Sequence, residues 1–506
     1  MRKKRLRLHV IVPLGKHCAW LALLCVFASM MSGCFDGAAS VPDLERLFAS
    51  ARSSKGKRPI IFVPGLLGSR LVNERTGEVV WPAFFRSDDD ELDLPVGPAF
   101  LTSRDSLIAT GAIDKARIFK LWPKVNVFHE LFNALRQYGG YQEGDWDQPP
   151  ANGDRDTFYA FTYDWRRDQV ESAQLLVRRI QQLKLKLNRP DLRFNIITVS
   201  GGGTIARYAA MYGDADLPSG DAPPEPNWAG AAHINKIFMF GPPNEGTADM
   251  LSVLVKGYSF STGLHRRIKI TSKLSREDAL TSPSIFELLP HAGTVTFYDQ
   301  DMKPLPIDIY DPAVWHKYGW SIACDADYRK RFVQQWSKQL APTDAANESM
   351  EQRALAELDG YLVAVLRRTR KYHEALNARS NVKPPVGYYV FAGDCEETLQ
   401  ALVILRDEKR GRYETLTRPR EVRGTGGRRF AREEVKQLMF GPGDGRVTRR
   451  SLLAETFATT RPADSPYKTT LPIAHSFLIC LVHGYIQDST NVHDDVLTFL
   501  VNDAVQ

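Results

Sequence analysis

An apolar run at residues 196–199 ends at Ser200, three glycines follow, and a helical pattern begins at once with Thr204-Ile205-Ala206-Arg207-Tyr208. Strand, sharp turn and helix in immediate succession form a nucleophile elbow, which raises a serine hydroxyl above the edge of a sheet. Few other arrangements accept this order. The glycines have physical tasks. Gly202 lets the backbone turn tightly around a strained serine, and bare backbone at Gly201 and Gly203 lets a ligand and the neighbouring strand approach. The usual pattern has a glycine two positions before the serine, and Thr198 stands there instead. Ser-Gly-Gly-Gly also occurs in ordinary loops, so the reading depends on partners elsewhere in the chain.

The flanks of the elbow have the rhythm of a parallel sheet. Residues 59–63 are a continuous apolar run stopped by Pro64-Gly65, as in a strand buried on both faces. Similar runs recur at 157–161, 194–199, 234–240, 387–392 and 476–482. Between several of them lie helical patterns. Residues 168–187 carry Val170, Leu175, Leu176, Ile180 and Leu183 on a repeating face, with Arg and Lys opposite. The elbow helix is expected from about Thr204 to a glycine C-cap at Gly213. The predicted fold class is α/β, a mostly parallel sheet with helices on both faces. Its core occupies residues 58–245 and 386–506. Residues 214–229 read as an exposed loop, and 246–385, helical at 349–377, as an inserted cap over the active-site edge.

The first 33 residues stand apart from that core. Arg2, Lys3, Lys4, Arg5, Arg7 and Lys16 precede or flank an apolar run at 18–31, too short for an ordinary membrane-spanning helix. This is the pattern of a secretory signal. It ends in Met31-Ser32-Gly33-Cys34, which resembles a bacterial lipobox with Met31 in place of leucine. Lipidation at Cys34 predicts an exported protein anchored to the envelope membrane, with 34–57 as a tether. The alternative is a soluble secreted chain in which Cys34 is incidental. Six of the seven net positive charges lie in this leader, so the remainder carries +1 and no basic excess points to nucleic acid. Besides Cys34, the exported chain keeps Cys324, Cys395 and Cys480. A disulfide such as Cys324–Cys395 is one of three pairings open to it. No CxxC, HExxH or similar cluster suggests a metal site, and no cofactor is implied.

A serine hydroxyl needs an adjacent base, and the base needs an orienting acid. In α/β-hydrolases the chain order is serine, acid, histidine. Downstream of Ser200, Gly441-Pro442-Gly443-Asp444-Gly445-Arg446-Val447 is an acidic turn between glycines, and an apolar run delivers His483. A helical pattern follows, with Val492, Val496, Leu497 and Leu500 apolar. Asp394 is a second candidate acid; His475 and His493 are competing bases. Asp444 could instead cap a turn, and His483 could be a buried core histidine. Two backbone N–H groups must also receive the oxyanion. Gly201 supplies one, and the loop Val63-Pro64-Gly65-Leu66-Leu67-Gly68-Ser69 the other, at Leu66 in preference to Leu67.

Five segments give the chain a family likeness: residues 62–69, Tyr163-Asp164-Trp165-Arg166, the elbow through Tyr208, residues 240–247, and Gly443 to Val447. On these the chain resembles the lecithin:cholesterol acyltransferase and phospholipid:diacylglycerol acyltransferase group of α/β-hydrolases. The tail around His483 is similar too, as is residues 284–290, a shared cap segment. The likeness runs from about residue 58 to 503. It implies Ser200 as nucleophile, Asp444 as acid, His483 as base, Leu66 and Gly201 as oxyanion donors, and acyl transfer from a lipid ester through an acyl-enzyme. Thr198 and Val199 depart from the usual glycine and histidine, and Arg446 stands where threonine is common. Those departures are the support for an alternative, an inactive lipid-binding or envelope scaffold. Residues 250–255, then Tyr258, Phe260 and His265-Arg266-Arg267, suit either a lid on a lipid surface or a lid packed against its own core.

Overall fold

A computed structural model describes residues 41–82, 92–117, 124–220, 222–259, 273–291, 293–340, 348–409, 411–455 and 471–505. The signal segment, Cys34, Phe260 and residues 265–267 lie outside the described residues. From Leu44 onward the chain is one compact unit.

Seven strands form its central sheet: β1 (Ile60–Val63), β2 (Gln142–Glu143), β3 (Thr157–Ala160), β4 (Phe194–Val199), β5 (Ile234–Phe240), β6 (Gly387–Gly393) and β7 (Ile473–Ile479). Their order is β7-β6-β5-β4-β1-β3-β2. Every neighbouring pair is parallel. Helices α1 (His129–Gln137), α2 (Gln169–Lys186), α3 (Gly202–Tyr212), α4 (Ala248–Lys256), α5 (Pro283–Glu287), α6 (Glu348–Leu376) and α7 (Thr490–Val501) surround it.

The apolar runs become strands because both sheet faces are covered. Ile60, Phe62, Ile197, Phe238 and Phe391 point into a layer with Leu131 and Leu135 of α1 and Val492 and Val496 of α7. The alternate residues Ile61, Val63, Ile196, Ile237 and Val390 meet α2, α3 and α6 on the other side. Burying each such side chain contributes about 1.5–3 kcal/mol relative to exposure, so shifting a strand's register would forfeit the packing on both faces. From β4 successive strands run outward to one edge, while on the other side of β1 the chain places β2 at the edge and returns with β3 beside β1. The crevice outside their carboxyl ends, between β1 and β4, is the topological switch point where α/β sheets bind ligands.

Several expectations need correction. The segment 34–57 is not a free tether throughout, since Leu44 and Phe48 pack into the layer of Phe62. Buried Lys57 also pairs with Asp156 at 2.9 Å. The segment 246–385 packs closely on the core. Its last helix, α6, lies on the sheet's own helical layer, where Arg207 Nη2 donates to Leu376 O at 2.8 Å and Tyr212 Oη to Ala375 O at 2.9 Å. Residues Thr296–Tyr298 pair in parallel with Ala401–Asp407, so the excursions after β5 and after β6 share one small sheet. In α4, Met250, Leu251, Val253 and Leu254 are buried, and that apolar run belongs to the interior.

The disulfide is Cys395–Cys480, with Cα atoms 5.1 Å apart, and Cys324 is free. Cys395 follows β6 and Cys480 follows β7. These strands pair up to Gly393 and Ile479, which brings the two cysteines side by side. Cys324 sits in a turn of the cap, away from that pair of strand ends. Among the described residues no helix is long and apolar enough to cross a membrane.

Candidate active site

Strand β4 ends at Val199, Ser200 makes the turn, and α3 starts at Gly202. Ser200 has φ +52°, a left-handed conformation that costs a non-glycine residue of order 1–3 kcal/mol. Its neighbours hold it there. The Ser200 N–H donates to Phe240 O of β5 at 2.7 Å, and Gly203 N–H donates back to Ser200 O at 2.9 Å. The glycines allow close contact around it. A Cβ on Gly202 would lie 2.6 Å from Val63 O and 2.7 Å from Pro64 O. One on Gly65 would lie 2.7 Å from Val199 O and 2.9 Å from the Ser200 Cβ. Gly201 faces the Leu288 side chain of the cap segment. Thr198 fits its unusual position because it is wholly buried and its hydroxyl donates to Phe238 O at 3.4 Å.

Ser200, His483 and Asp444 come together from three separate segments. His483 Nε2 lies 3.0 Å from Ser200 Oγ, and Nδ1 lies 2.7 Å from Asp444 Oδ2. A carboxylate only accepts, so the imidazole proton belongs on Nδ1, which leaves Nε2 to accept from the serine hydroxyl. Asp444 is fully buried, whereas the His483 side chain is 15% exposed. Asp444 Oδ1 accepts the N–H groups of Arg446 at 3.0 Å and Val447 at 2.7 Å, so both carboxylate oxygens are engaged. His483 N–H also donates to Asp444 O at 2.8 Å, tying the base's turn to the acid's turn. The histidine does not close β7 itself. It opens a short 3₁₀ turn, His483–Asp488, beyond the strand.

The other candidates lie in different company. Asp394 is 3.8 Å from Arg449. His475 pairs with Asp495 at 2.6 Å, and buried His493 sits 2.7 Å from Gln487 O. None of the three has a contact to Ser200 among the described residues.

The loop after β1 faces the elbow through Gly65. Leu67 has φ +67°, its carbonyl accepts from the Trp81 indole at 2.9 Å, and Tyr163 Oη donates to Pro64 O at 2.8 Å. Tyr163 begins the Tyr-Asp-Trp-Arg run, whose Arg166 is buried in a double fork with Asp105 and Asp164. That run therefore braces the loop. The N–H groups of Leu66 and Gly201 donate to no acceptor among the described residues.

Two contacts had no signal in the sequence. The Leu288 side chain lies over Gly201, and the Arg446 side chain reaches Asp249 and Tyr258. Both are tertiary meetings of distant segments.

No model of a known protein family matches the chain, and no curated protein does. Among solved structures, one in the crystal structure of the Tle4–Tli4 complex matches with a TM-score of 0.50 at 12% identity, over 88% of this chain and 98% of that one. The mature form of the Bacillus licheniformis lipase BlEst2 aligns at TM-score 0.30 and 12% identity, over 89% and 93%. EstA from Clostridium botulinum aligns at TM-score 0.31 and 13% identity, over 89% of each chain. At 12% identity the likeness to the first of these is one of fold. With its parallel sheet, its elbow after β4 and its later acid and histidine turns, the chain has the α/β-hydrolase fold.

Proposed function

We propose that the chain is a serine-dependent ester hydrolase or O-acyltransferase acting on lipid esters. The observation that carries this reading is the continuous hydrogen-bonded line from Asp444 through His483 to Ser200 at the tip of a strained elbow. In the proposed reaction Ser200 Oγ attacks the ester carbonyl carbon while His483 Nε2 takes the hydroxyl proton. Asp444 keeps the imidazole in the correct tautomer and stabilises the imidazolium. The N–H groups of Leu66 and Gly201 receive the negative oxygen, where loss of one such donor costs about 3–4 kcal/mol of barrier. Collapse breaks the ester C–O bond, and His483 returns its proton to the leaving alkoxide. Water or an alcohol then attacks the acyl-Ser200 by the same route in reverse, and the serine regains its proton.

The lipid class of substrate rests on the resemblance to the lecithin:cholesterol and phospholipid:diacylglycerol acyltransferase group. The proposed Cys34 anchor would hold the site beside phospholipid in the envelope, which supports the same reading. The test is direct. A fluorophosphonate should label Ser200 in the wild type and not in Ser200→Ala. Pure protein given mixed phospholipids and neutral esters, with and without an alcohol, should release fatty acid or form a new ester detectable by mass. A folded wild type that neither labels nor turns over ester would leave the fold as a scaffold and end the catalytic reading.

A further inference from the structure

We propose that Arg446 is a positioning residue which ties the Asp444 carboxylate to the seating of α4 and Tyr258. The proposal rests on the catalytic reading of Ser200, His483 and Asp444. Three parts of one residue make the tie. The Arg446 N–H donates to Asp444 Oδ1 at 3.0 Å. Its carbonyl accepts from Thr247 Oγ1, the N-cap hydroxyl of α4, at 2.5 Å. Its guanidinium donates to Asp249 Oδ2 at 2.5 Å and to the Tyr258 hydroxyl, lying 4.4 Å from the centre of the Tyr258 ring.

Asp249 is in the first turn of α4, and Tyr258 follows its C-terminal Gly257. One side chain thus grips both ends of the helix. From there the connection reaches the other half of the site. Thr247 N–H donates to Leu288 O at 2.9 Å, and the Leu288 side chain lies over Gly201, the proposed oxyanion donor. The acid turn, α4, the cap segment and the elbow therefore form a closed circuit through Arg446. The Arg446 and Asp249 side chains are 33% and 25% exposed, so solvent screens their pairing only in part.

The charged and titratable groups facing the guanidinium are Asp249, Tyr258 and, through the turn, Asp444.

The experiment measures kcat and KM for p-nitrophenyl butyrate with the full chain and with Arg446→Met, Arg446→Lys and Asp249→Asn, alongside thermal melting. Arg446→Met should lower kcat by roughly tenfold with KM little changed, as loss of reacting geometry does. Arg446→Lys should restore part of kcat, and Asp249→Asn, which leaves the hold on Tyr258, should lower kcat less than Arg446→Met. A purely structural role predicts lower melting temperatures with the kcat of the folded enzyme unchanged, and that result overturns the proposal, as does an Arg446→Lys variant no better than Arg446→Met. Should turnover survive Ser200→Ala, the catalytic reading itself fails, and the positioning role falls with it.

Discussion

Behind the elbow lies a buried carboxyl pair that sets a pH dependence on the fold. Glu287, at the end of α5, accepts the Gln169 N–H at 2.7 Å and faces Asp168, the N-cap of α2. Arg368 of α6 donates to Asp168 at 2.8 Å. Burial and then the nearby Asp168 charge push the Glu287 carboxyl well above the ordinary range. Burial opposes ionisation of Asp168 as well, yet Arg368 holds that carboxyl below its usual value. One proton between two carboxylates and one guanidinium is the stable arrangement. Because the folded-state pKa of Glu287 is raised, its contribution to stability is complete below the ordinary glutamate value and fades as pH rises through the raised one. The denaturant midpoint should therefore fall from weakly acidic toward alkaline buffer. Glu287→Gln, which keeps a donor toward Asp168, should flatten that fall. An equal slope in both proteins would show that another group governs it. The network also reaches the active site, since Gln169 Oε1 accepts from the hydroxyls of Thr204 on α3 and Tyr372 on α6.

At the scale of elements, the site depends on how closely the loop after β1 approaches the end of β4. Gly65 is where the two backbones touch. A methyl group there would lie 2.7 Å from Val199 O and 2.9 Å from the Ser200 Cβ, nearer than such atoms pack. Neither neighbour is the flexible end of a side chain, so Gly65→Ala must push strand and elbow apart. It should destabilise the fold by about 1–3 kcal/mol. Turnover should fall further than stability, because the displaced residue is Ser200; thermal melting and kcat measured together would show whether the two losses separate. The elements themselves were unevenly legible. Strands β4 and β5 coincide with the runs 194–199 and 234–240, whose end residues Phe194, Val199, Ile234 and Phe240 are all buried although Asn195, Asn235 and Lys236 lie within them. The helix of residues 349–377 appears as α6 within a residue at each end. Strand β7 begins at Ile473 and ends at Ile479, three residues before the apolar run predicted. It is an edge strand with half-exposed positions, and beyond its end Leu481 packs against the layer of Phe62 while Val482 is exposed.

For the molecule as a whole, the Cys395–Cys480 bridge fastens the ends of β6 and β7 next to the acid and base turns. It closes a loop with a sequence separation of 85. On the chain-entropy account a loop of that length stabilises the folded state by about 4–5 kcal/mol, an upper figure if the reduced unfolded chain keeps structure. Reduction, or Cys480→Ala with Cys395→Ala, should lower the denaturant midpoint. Activity should also fall, because the turn bearing His483 loses its nearest covalent restraint. An unchanged midpoint after complete reduction would contradict this. The two cap excursions bind the molecule together by another means, a shared sheet in which Thr296 stands beside Ala401. Ala401–Asp407 opens on an apolar run, but its partner Thr296–Tyr298 lies far away in the chain, and a pairing between distant segments carries no local signal.

Local information sufficed for the elbow, the parallel strands, the helices beside them and the order of serine, acid and histidine. Each is written in neighbouring residues, through hydrophobic period, turn glycines and the position of an apolar run. Which acid and which histidine meet Ser200 is decided in three dimensions. Asp394 and Asp444, or His475, His493 and His483, differ little as sequence; sheet order brings one of each to the switch point and turns the others toward Arg449, Asp495 and Gln487. The disulfide pairing, the inward face of α4 and the reach of Arg446 belong to the same class. They depend on distances between segments far apart in the chain, and only packing sets those distances.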